Sequence, residues 1–536
     1  MLNKTRNWLG ALVRATAASA MLIATTANAA PPADIDVFAQ HVLEAFETPG
    51  MSIAIVERGQ PTVLRSYGVR RMGQPAQVDE NTLFAIGSTT KAFTSAILAT
   101  LVDEGKLTWD TRVSDVLPGF KLQDAYASSE MTVRDLLVHR SGLGLGAGDL
   151  LFYPPPSDRT RAEIVHSLRY IKPASSFRST FAYSNMMYLV AGEVIKAVGG
   201  ASWEEAVRQR IFAPLQMTSS TTSSLLPAGA NRAWPHSRIT TDMRGDGPVV
   251  ALAAPVDIDI VGPTGSIQSS TADIARWLEL QLGRGLDPQT NKRVFSEAQA
   301  REMWTPQMVV PVAPNPRGLE LAQAAYKAYA LGWSVSDYRG TQIVAHGGGV
   351  PGMVVLLAIV PSRDVAFAIF LNSEETFALS AMQYRLLDHY LGLPSPDWTS
   401  ALVAARQARV ASGREALAAD AAAQKKLASS GTQGPSLPLD GYAGRYRDAW
   451  YGDATIERTA TGLKIRLEHT PALAGPLEHV RFDTFVARWS DRSLEDAYVT
   501  FALDADGAID RMTMKAVSPL ADFSFDYPDL LFKPVR

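Results

Sequence analysis

An uncharged run of eleven residues, Ala92–Val102, constrains the fold more than any other feature of this chain. A helix that carries no charge on any face lies inside a protein rather than at its surface. Ser88 and Lys91 come just before the run, three residues apart, and a helix places side chains at this spacing on one face. The sequence therefore predicts a buried helix with a Ser at its N-terminus and a Lys one turn further along.

Ser88 and Lys91 have the residue types of a nucleophile and its base. A Ser hydroxyl attacks a carbonyl only after a neighbouring base takes its proton, and a Lys amine can be that base when its pKa is lowered. Burial lowers the pKa of a Lys, and a helix N-terminus offers partial positive charge to an oxyanion forming beside it. The alternative is an ordinary helix N-cap followed by a Lys at a chance spacing.

The composition is that of a globular protein without cysteine chemistry. The 536 residues are 46% hydrophobic, enough for two or three domains, and include no Cys, which excludes disulfides, thiolate metal sites and a Cys nucleophile. The net charge of −3 gives no reason to expect nucleic acid or an anionic membrane as a partner. The His residues show no His-x-x-x-His spacing, and we expect no metal and no other cofactor.

The first 29 residues have the pattern of a signal peptide. Lys4 and Arg6 precede a short apolar run, and Ala27-Asn28-Ala29 fits the small-x-small cleavage rule. The run is too short to span a membrane, and no longer apolar run follows. We therefore expect residues 1–29 to be removed and the mature protein to be periplasmic or secreted from a bacterium. The alternative is an amphipathic or disordered tail.

Strand-like segments lie at both ends of the first 395 residues, with helical segments between them. Residues 49–69 and 330–371 alternate or are β-branched, which favours strands. This order predicts one mixed sheet built from both ends of the section, with helices packed over it. Residues 441–535 alternate throughout and are broken by turns, which predicts a separate antiparallel sandwich or barrel.

Two further short motifs carry groups that nucleophilic Ser enzymes need. Tyr183-Ser184-Asn185 lies in a predicted loop just before a helix, where the Tyr could carry a proton and the Asn could bond both Lys91 and a substrate amide. His346-Gly347-Gly348-Gly349 lies where one predicted strand ends and the next begins, and such glycines often mark a close approach of a ligand to the backbone. Taken singly, the two motifs also fit a surface turn and a Gly-rich hairpin.

In this order, Ser88-x-x-Lys91, Tyr183-x-Asn185 and His346-Gly347-Gly348 resemble the Ser-x-x-Lys, Tyr-x-Asn and Lys-Thr-Gly elements of the serine β-lactamase and penicillin-binding-protein superfamily. The resemblance extends over about residues 35–395. It implies an α/β (α+β) fold in which helices flank a mixed sheet, with the active site between the sheet and an all-helical region. The class C arrangement fits best, because Tyr-x-Asn replaces the Ser-Asp-Asn of class A.

The resemblance also divides the chain. It implies a hydrolase domain at 30–395 after the signal peptide, and a C-terminal domain at 437–536 that is similar to lipocalin-like β-barrels. Residues 396–436 between them include an Ala-rich stretch without aromatic residues, which indicates a helical linker. We expect no nucleic-acid partner and no membrane span, and a homo-oligomer formed through the barrel is a further expectation.

Each motif residue receives a role from the family. The resemblance implies Ser88 as the nucleophile, Lys91 and Tyr183 as the groups that deprotonate it, and Tyr183 as the acid for the leaving group. The backbone N–H groups of Ser88 and Gly349 are the expected oxyanion hole. The residues expected to bind or support the substrate are Asn185, His346 and Gly348.

The third motif departs from the β-lactamases, because His346 stands where they carry a Lys that attracts the substrate carboxylate. A His at this place is similar to the esterases, aminopeptidases and amidases of the superfamily, and a largely neutral imidazole attracts a carboxylate less than an ammonium does. We therefore expect a serine hydrolase that cleaves an amide bond of a short or D-residue-containing peptide. The alternatives are a carboxylesterase and a non-catalytic penicillin-binding or sensor protein. His139 lies in a turn and is expected to be structural.

Overall fold

The computed structural model describes residues 30–240, 243–428 and 434–535. The predicted signal peptide lies outside the described residues. In the described part of the chain, none of the helices is long and apolar enough to cross a membrane.

The N-terminal region, residues 30–397, contains a central sheet, two short strand pairs and most of the helices. Its strands are β1 Gly50–Glu57, β2 Val63–Gly68, β3 Phe84–Ala85, β4 His236–Ile239, β5 Arg244–Ala251, β6 Gln268–Ser269, β7 Met308–Val309, β8 Lys327–Tyr329, β9 Ser334–Tyr338, β10 Thr341–Val350, β11 Met353–Val360 and β12 Val365–Leu371. Its helices are α1 Ile35–Ala45, α2 Thr90–Asp103, α3 Val113–Val116, α4 Ala125–Glu130, α5 Val133–Leu137, α6 Arg161–Ser167, α7 Asn185–Gly199, α8 Trp203–Val207, α9 Ala213–Leu215, α10 Gly262–Gly265, α11 Thr271–Leu282, α12 Glu297–Trp304 and α13 Thr376–Leu391.

The central sheet joins both ends of the N-terminal region in the order β2-β1-β12-β11-β10-β9-β8-β7. Every residue of β11 and β12 is buried, so other elements cover both faces of the sheet there. Helix α11 packs against β1 and β12, and α13 packs against β11 and β12. The α+β fold expected from the sequence is confirmed, although the ladders of this sheet are antiparallel rather than mixed.

Helix α2 confirms the prediction made from the uncharged run. Its residues from Thr90 to Leu101 are all buried, and it packs against α7, α8 and α10. Phe93 stacks on Trp277 of α11, with the ring centroids 4.0 Å apart. Ser88 stands in the 3-10 turn Gly87–Thr89 that leads into α2, and this turn packs against β10. The fold thus holds the turn with Ser88 between the sheet and the helices.

A long helix, α14 Trp398–Ala428, leads to a closed barrel of eight antiparallel strands in chain order. The barrel strands are β13 Gly444–Asp448, β14 Gly452–Arg458, β15 Leu463–Leu467, β16 Ala474–Arg481, β17 Thr484–Ala487, β18 Ala497–Leu503, β19 Ile509–Ala516 and β20 Leu531–Pro534. Alternate residues of β15 are buried, as in a barrel strand with one face inward. Tyr442, Phe485 and Phe501 pack edge to face within the barrel. Of the two predicted alternatives, the domain is the barrel.

Residues 517–530 connect β19 to β20 and pack on the N-terminal region; we call them the β19–β20 segment. The carboxylate of Asp526 in this segment accepts the backbone N–H groups of Gly148 and Leu150, at 2.6 and 3.0 Å. Gly146 lies against the backbone of Phe523, where an added Cβ would come within 2.6 Å of the Phe523 carbonyl oxygen. The barrel therefore reaches the helical side of the N-terminal region through a connection between two of its strands.

Candidate active site

Ser88 and Lys91 meet at the start of α2. Lys91 Nζ lies 3.0 Å from Ser88 Oγ, within hydrogen-bond distance. Lys91 is completely buried, whereas Ser88 is half-buried and faces a cavity. Ser88 lies in the turn Gly87–Thr89, two residues before α2 begins at Thr90, and Lys91 is the second residue of α2.

The surroundings of Lys91 favour its neutral form. Burial lowers the pKa of Lys91 to about 7, against the pull of the Asp149 carboxyl group. Its amine is held by Asn185 Oδ1 at 2.8 Å and by the Thr264 carbonyl oxygen at 3.2 Å, in addition to Ser88. An amine with a pKa near 7 is available as a free base at neutral pH, which an ordinary Lys is not.

Tyr183 completes the group around the Ser88 hydroxyl. Its ring lies 4.8 Å from Lys91 Nζ, and Ser88 is one of the groups that act on the pKa of its phenol. Burial raises the pKa of the Tyr183 phenol, so its hydroxyl keeps its proton at neutral pH. Asn185 of the same motif is the first residue of α7 rather than a loop residue as predicted.

The imidazole of His139 packs against the ring of Tyr183. The two rings lie 4.2 Å apart, and His139 Nδ1 accepts the backbone N–H of Ser184 at 3.0 Å. Burial, together with the nearby Lys91 charge, lowers the pKa of His139 well below its usual range. His139 is thus a neutral platform that fixes the Tyr183 ring and the backbone beside it, in keeping with the structural role expected for it.

The third motif lies inside β10, not between two strands as predicted. β10 pairs with β11 from Val344 to Val350 but with β9 only as far as Ala345, which leaves its second half open on one side. The three glycines pair with β11 through this half without interruption, and the strand packs against the Ser88 turn. An added Cβ on Gly348 would lie 2.0 Å from the Ile86 carbonyl oxygen.

The same close approach brings the backbone of Gly349 beside the Ser88 turn. An added Cβ on Gly87 would lie 2.8 Å from the Gly349 amide nitrogen. Gly87 has a φ of 51°, in the left-handed region that favours glycine. A Cβ on Gly349 itself would meet no atom within 4 Å, so that position opens into the cavity. This is the place where the sequence predicted an oxyanion hole from the Ser88 and Gly349 amides.

His346 is held as a neutral imidazole. Burial is the main cause that lowers the pKa of His346 to about 3, and the Lys91 charge acts in the same direction. Nδ1 lies 2.6 Å from the Gly347 carbonyl oxygen and donates to it, so Nε2 accepts from the Tyr329 hydroxyl at 2.7 Å. With both nitrogens engaged, the ring gives no positive charge to the site.

Asp149 belongs to the same cluster and was not predicted. Asn185 Nδ2 donates to Asp149 Oδ2 at 2.9 Å, and Ser524 Oγ of the β19–β20 segment donates to the same oxygen at 2.9 Å. Burial raises the pKa of Asp149 to about 7. A signal for Asp149 was present in the sequence, since it is the only charged residue between Ser141 and Ser157. Ser524 carries no local signal, because the contact joins residues far apart in the chain.

A cavity of about 770 Å³ opens above these residues. Ser88, Tyr183 and His346 line it on the side of the N-terminal region, and residues 520–524 line it on the side of the barrel. Three arginines in the lining are in ion pairs, Arg244 with Glu374, and Arg238 and Arg406 with Glu375 at 3.4 and 2.9 Å. In the described part of the chain, no group of His, Asp and Glu residues has the arrangement of a metal site.

Comparison with known proteins points to one family for the N-terminal region. The family model described as beta-lactamase matches residues 38–392, well over half of the chain, and a model described as a domain of unknown function (DUF3471) matches residues 428–534. The unguisins hydrolase ungD of Aspergillus violaceofuscus is 28% identical over 493 residues, which cover 86% of this chain and 84% of the relative.

Two solved structures show a similar fold. The octameric penicillin-binding protein homologue from Pyrococcus abyssi has a TM-score of 0.55 and 20% identity, and the match covers 93% of this chain and 99% of that one. The D-amino acid amidase from Ochrobactrum anthropi SV3, in complex with D-phenylalanine, has a TM-score of 0.54 and 23% identity, over 67% of this chain and 98% of the amidase.

Proposed function

We propose that this chain, a serine hydrolase that belongs to the β-lactamase family, cleaves amide bonds of short peptides through an acyl-enzyme on Ser88. The observation that carries the proposal is the contact of 3.0 Å between Ser88 Oγ and the amine of Lys91. A fully buried Lys whose pKa is lowered to about 7 is costly to a fold and suited to a base.

In the acylation step, the neutral amine of Lys91 takes the proton of the Ser88 hydroxyl while Oγ attacks the substrate carbonyl. The backbone N–H groups of Ser88 and Gly349 hold the oxyanion that forms, and the N-terminal end of α2 adds its partial positive charge. Asn185 keeps the Lys91 amine directed at Ser88 by accepting one of its hydrogens at 2.8 Å.

Collapse of the tetrahedral intermediate expels an amine, which needs a proton. Tyr183 is the donor in our proposal, because it lines the cavity beside Ser88 and its pKa is raised, so the proton is present at neutral pH. Lys91, protonated in the first step, then restores the proton to Tyr183. Water attacks the acyl-enzyme by the same route in reverse and releases the acid.

The third motif supports cleavage of ordinary amide bonds rather than of β-lactam rings. His346 is neutral and has both nitrogens engaged, so it lacks the charge with which a Lys would attract a carboxylate. The relative named as a hydrolase of unguisins, and the fold shared with a D-amino acid amidase, support peptides and amides, including D-residues, as the substrate class. A carboxylesterase is the second candidate, since an ester passes through the same acyl-enzyme.

Hydrolysis of four substrates by the wild-type chain tests the proposal: the p-nitroanilides of D-alanine and L-alanine, p-nitrophenyl butyrate and a cephalosporin. We expect turnover of at least one anilide, with little hydrolysis of the cephalosporin. Turnover of the ester alone would favour the esterase, and no turnover by a folded chain would favour a sensor. Ser88→Ala should abolish activity, whereas Ser95→Ala, the same change two turns further along α2, should retain it.

Export and self-association stay predictions. Export depends on the signal pattern of residues 1–29, and N-terminal sequencing of the secreted protein is expected to begin near Ala30. An oligomer formed through the barrel depends on the separate barrel domain, and light scattering of the mature chain measures it.

A further inference from the structure

We propose that Ser524 and Asp526, two residues of the β19–β20 segment of the barrel, hold Asp149, and that Asp149 acts through Asn185 as a positioning residue for Lys91. This inference rests on the proposed role of Lys91 as the base for Ser88. The chemistry of the N-terminal motifs does not by itself require the barrel. Its function in the proposal is to position the base.

A continuous chain of hydrogen bonds leads from the barrel to the base. Ser524 Oγ donates to Asp149 Oδ2 at 2.9 Å, Asn185 Nδ2 donates to the same oxygen at 2.9 Å, and Asn185 Oδ1 accepts from Lys91 Nζ at 2.8 Å. All four side chains are buried, with Ser524 the most exposed at 8%. Little water reaches these bonds, which strengthens them relative to bonds at an exposed surface.

Asp149 decides which way the Asn185 amide points. A carboxylate accepts hydrogen bonds and does not donate them, so it binds the NH2 side of the amide and leaves the oxygen for Lys91. With the amide reversed, its oxygen would face the carboxylate and its NH2 would face the amine of Lys91. The carboxylate of Asp149 thus secures an acceptor for Lys91 and aims the amine at Ser88.

The barrel holds the backbone on both sides of Asp149 as well. Asp526 accepts the N–H of Gly148 through Oδ2 at 2.6 Å and the N–H of Leu150 through Oδ1 at 3.0 Å. Gly148 has a φ of 91°, a conformation in which glycine is favoured. Together with the bond from Ser524, three contacts from one segment of the barrel fix the position of the Asp149 carboxyl group.

A separate contact links the same segment to Tyr183. The ring of Phe523 meets the ring of Tyr183 edge to face, with centroids 5.9 Å apart. Tyr183 is therefore packed between His139 on one side and the barrel on another. The β19–β20 segment therefore contacts Tyr183 directly and is linked to Lys91 through Asp149 and Asn185. Tyr183 and Lys91 are the two groups that move protons in the proposed reaction.

The charged groups around Lys91 and Asp149 determine the direction of the expected pH effect. Asp149 faces Lys91 through Asn185, and it is also faced by Asp522 and Asp526 of the barrel. The other titratable groups near Lys91 are neutral, because burial lowers the pKa values of His139 and His346 and raises those of Tyr183 and Tyr188. Asp149 is thus the group that raises the pKa of Lys91 against burial, and removal of its charge lowers that pKa further.

The test measures the rate of acylation of the full-length chain by p-nitrophenyl acetate between pH 5 and pH 9. Asp149→Asn should lower the plateau rate about tenfold and move the acid limb down by about 0.5 to 1 pH unit. Ser524→Ala should act in the same direction by a smaller amount, about 2- to 10-fold in rate, and Ser524→Thr should restore the wild-type profile. Ser518→Ala is the matched control in the same segment and should behave as the wild type, because among the described residues its hydroxyl bonds only to the backbone N–H of Leu520.

Thermal unfolding of each variant separates loss of fold from loss of positioning. If Asp149→Asn does not fold, Ser524→Ala and Ser524→Thr carry the test. Acid limbs that superimpose on the wild type in the folded variants would overturn the inference, even with a lower rate, because a purely structural contact changes the rate without the pKa. Acylation that persists in Ser88→Ala would instead refute the proposed function, so the two failures are distinguishable.

Discussion

The cavity has two walls of different construction. One wall consists of β10 and the Ser88 turn at the start of α2, where backbone meets backbone and an added Cβ on Gly348 would lie 2.0 Å from a carbonyl oxygen. The other wall is the β19–β20 segment, which reaches the site through side-chain hydrogen bonds and through Phe523, a ring that is 39% exposed. Helices and strands hold reacting groups precisely, whereas segments that connect strands are more mobile. Changes in the first wall should therefore abolish the reaction, and changes in the second should modulate it.

The largest effect is expected from Lys91→Met, in the first wall. Loss of the base should lower kcat/KM by about 100- to 10,000-fold. The variant should fold and unfold at the same or a higher temperature, because an apolar side chain fills the buried position without the cost of burying an amine. Steady-state kinetics and thermal unfolding check both parts, and a variant with near wild-type kcat/KM would remove Lys91 from the mechanism.

Tyr183→Phe should slow amide hydrolysis much more than ester hydrolysis. The ring contacts with His139 and Phe523 remain, and only the phenol hydroxyl is lost. An amine leaving group needs the proton that this hydroxyl supplies, while p-nitrophenolate leaves without one, so the anilide rate should fall about 100-fold and the ester rate by less than about tenfold. Tyr170→Phe, on an exposed turn, is the control. Equal losses for both substrates would contradict the role of Tyr183 as the acid.

The pH dependence should show a rise on the acid side near pH 7, where Lys91 and the Asp149 carboxyl coupled to it both titrate. The pKa of Lys91 is lowered from 10.5 to about 7, and the reaction uses the neutral amine. Activity is therefore expected to be lost as the pH falls below about 7, to roughly one tenth of the plateau at pH 6. His346 does not contribute to this limb, because its pKa is lowered to about 3. A profile that is flat from pH 5 to pH 8 would mean that Lys91 is not the base.

Gly348→Ala tests the packing of the first wall. The added Cβ would collide with the Ile86 carbonyl oxygen, and the strand has to move away from the Ser88 turn. We expect a loss of about 1–3 kcal/mol in the free energy of unfolding, measured in urea. Gly349→Ala is the matched variant for stability, since no atom lies within 4 Å of its added Cβ, and it should unfold like the wild type. Equal stabilities for both variants would show that the close approach is relieved at little cost.

The smallest effect is expected from Phe523→Ala, in the second wall. An edge-to-face aromatic contact contributes modestly, so the anilide rate should change by about 2- to 10-fold. Phe482→Ala, an exposed barrel residue that does not line the cavity, is the control. A loss as large as that of Tyr183→Phe would mean that the two walls are equally rigid, and no loss at all would mean that Phe523 does not support Tyr183.

The first wall could be predicted from the sequence because its signals are local. The uncharged run gave the buried helix, and the spacing of Ser88 and Lys91 is enough to place both side chains together. The path of β10 was predicted less well. Glycines usually weaken a strand, and the packing of the Ser88 turn against its open side, which keeps them in the ladder, is a tertiary contact.

The second wall could not be predicted, since its contacts join distant parts of the chain. Ser524 and Asp149 are 375 residues apart, and neither belongs to a motif that indicates the other. The alternation of its strands predicted a sandwich or a barrel, but alternation says nothing about where the connection between two strands will pack. Asp149 could have been singled out as a lone charge in an apolar stretch, although only the fold shows what it binds.

Mass-spectrometric mapping of the trapped acyl-enzyme decides whether this site works as described. The wild-type chain is incubated with p-nitrophenyl acetate, quenched in acid and digested. We predict a single acetyl group on the peptide that contains Ser88, absent from Ser88→Ala and formed with a midpoint near pH 7. An acetyl group on another residue, or an unchanged adduct in Ser88→Ala, would contradict the assignment of Ser88 as the nucleophile.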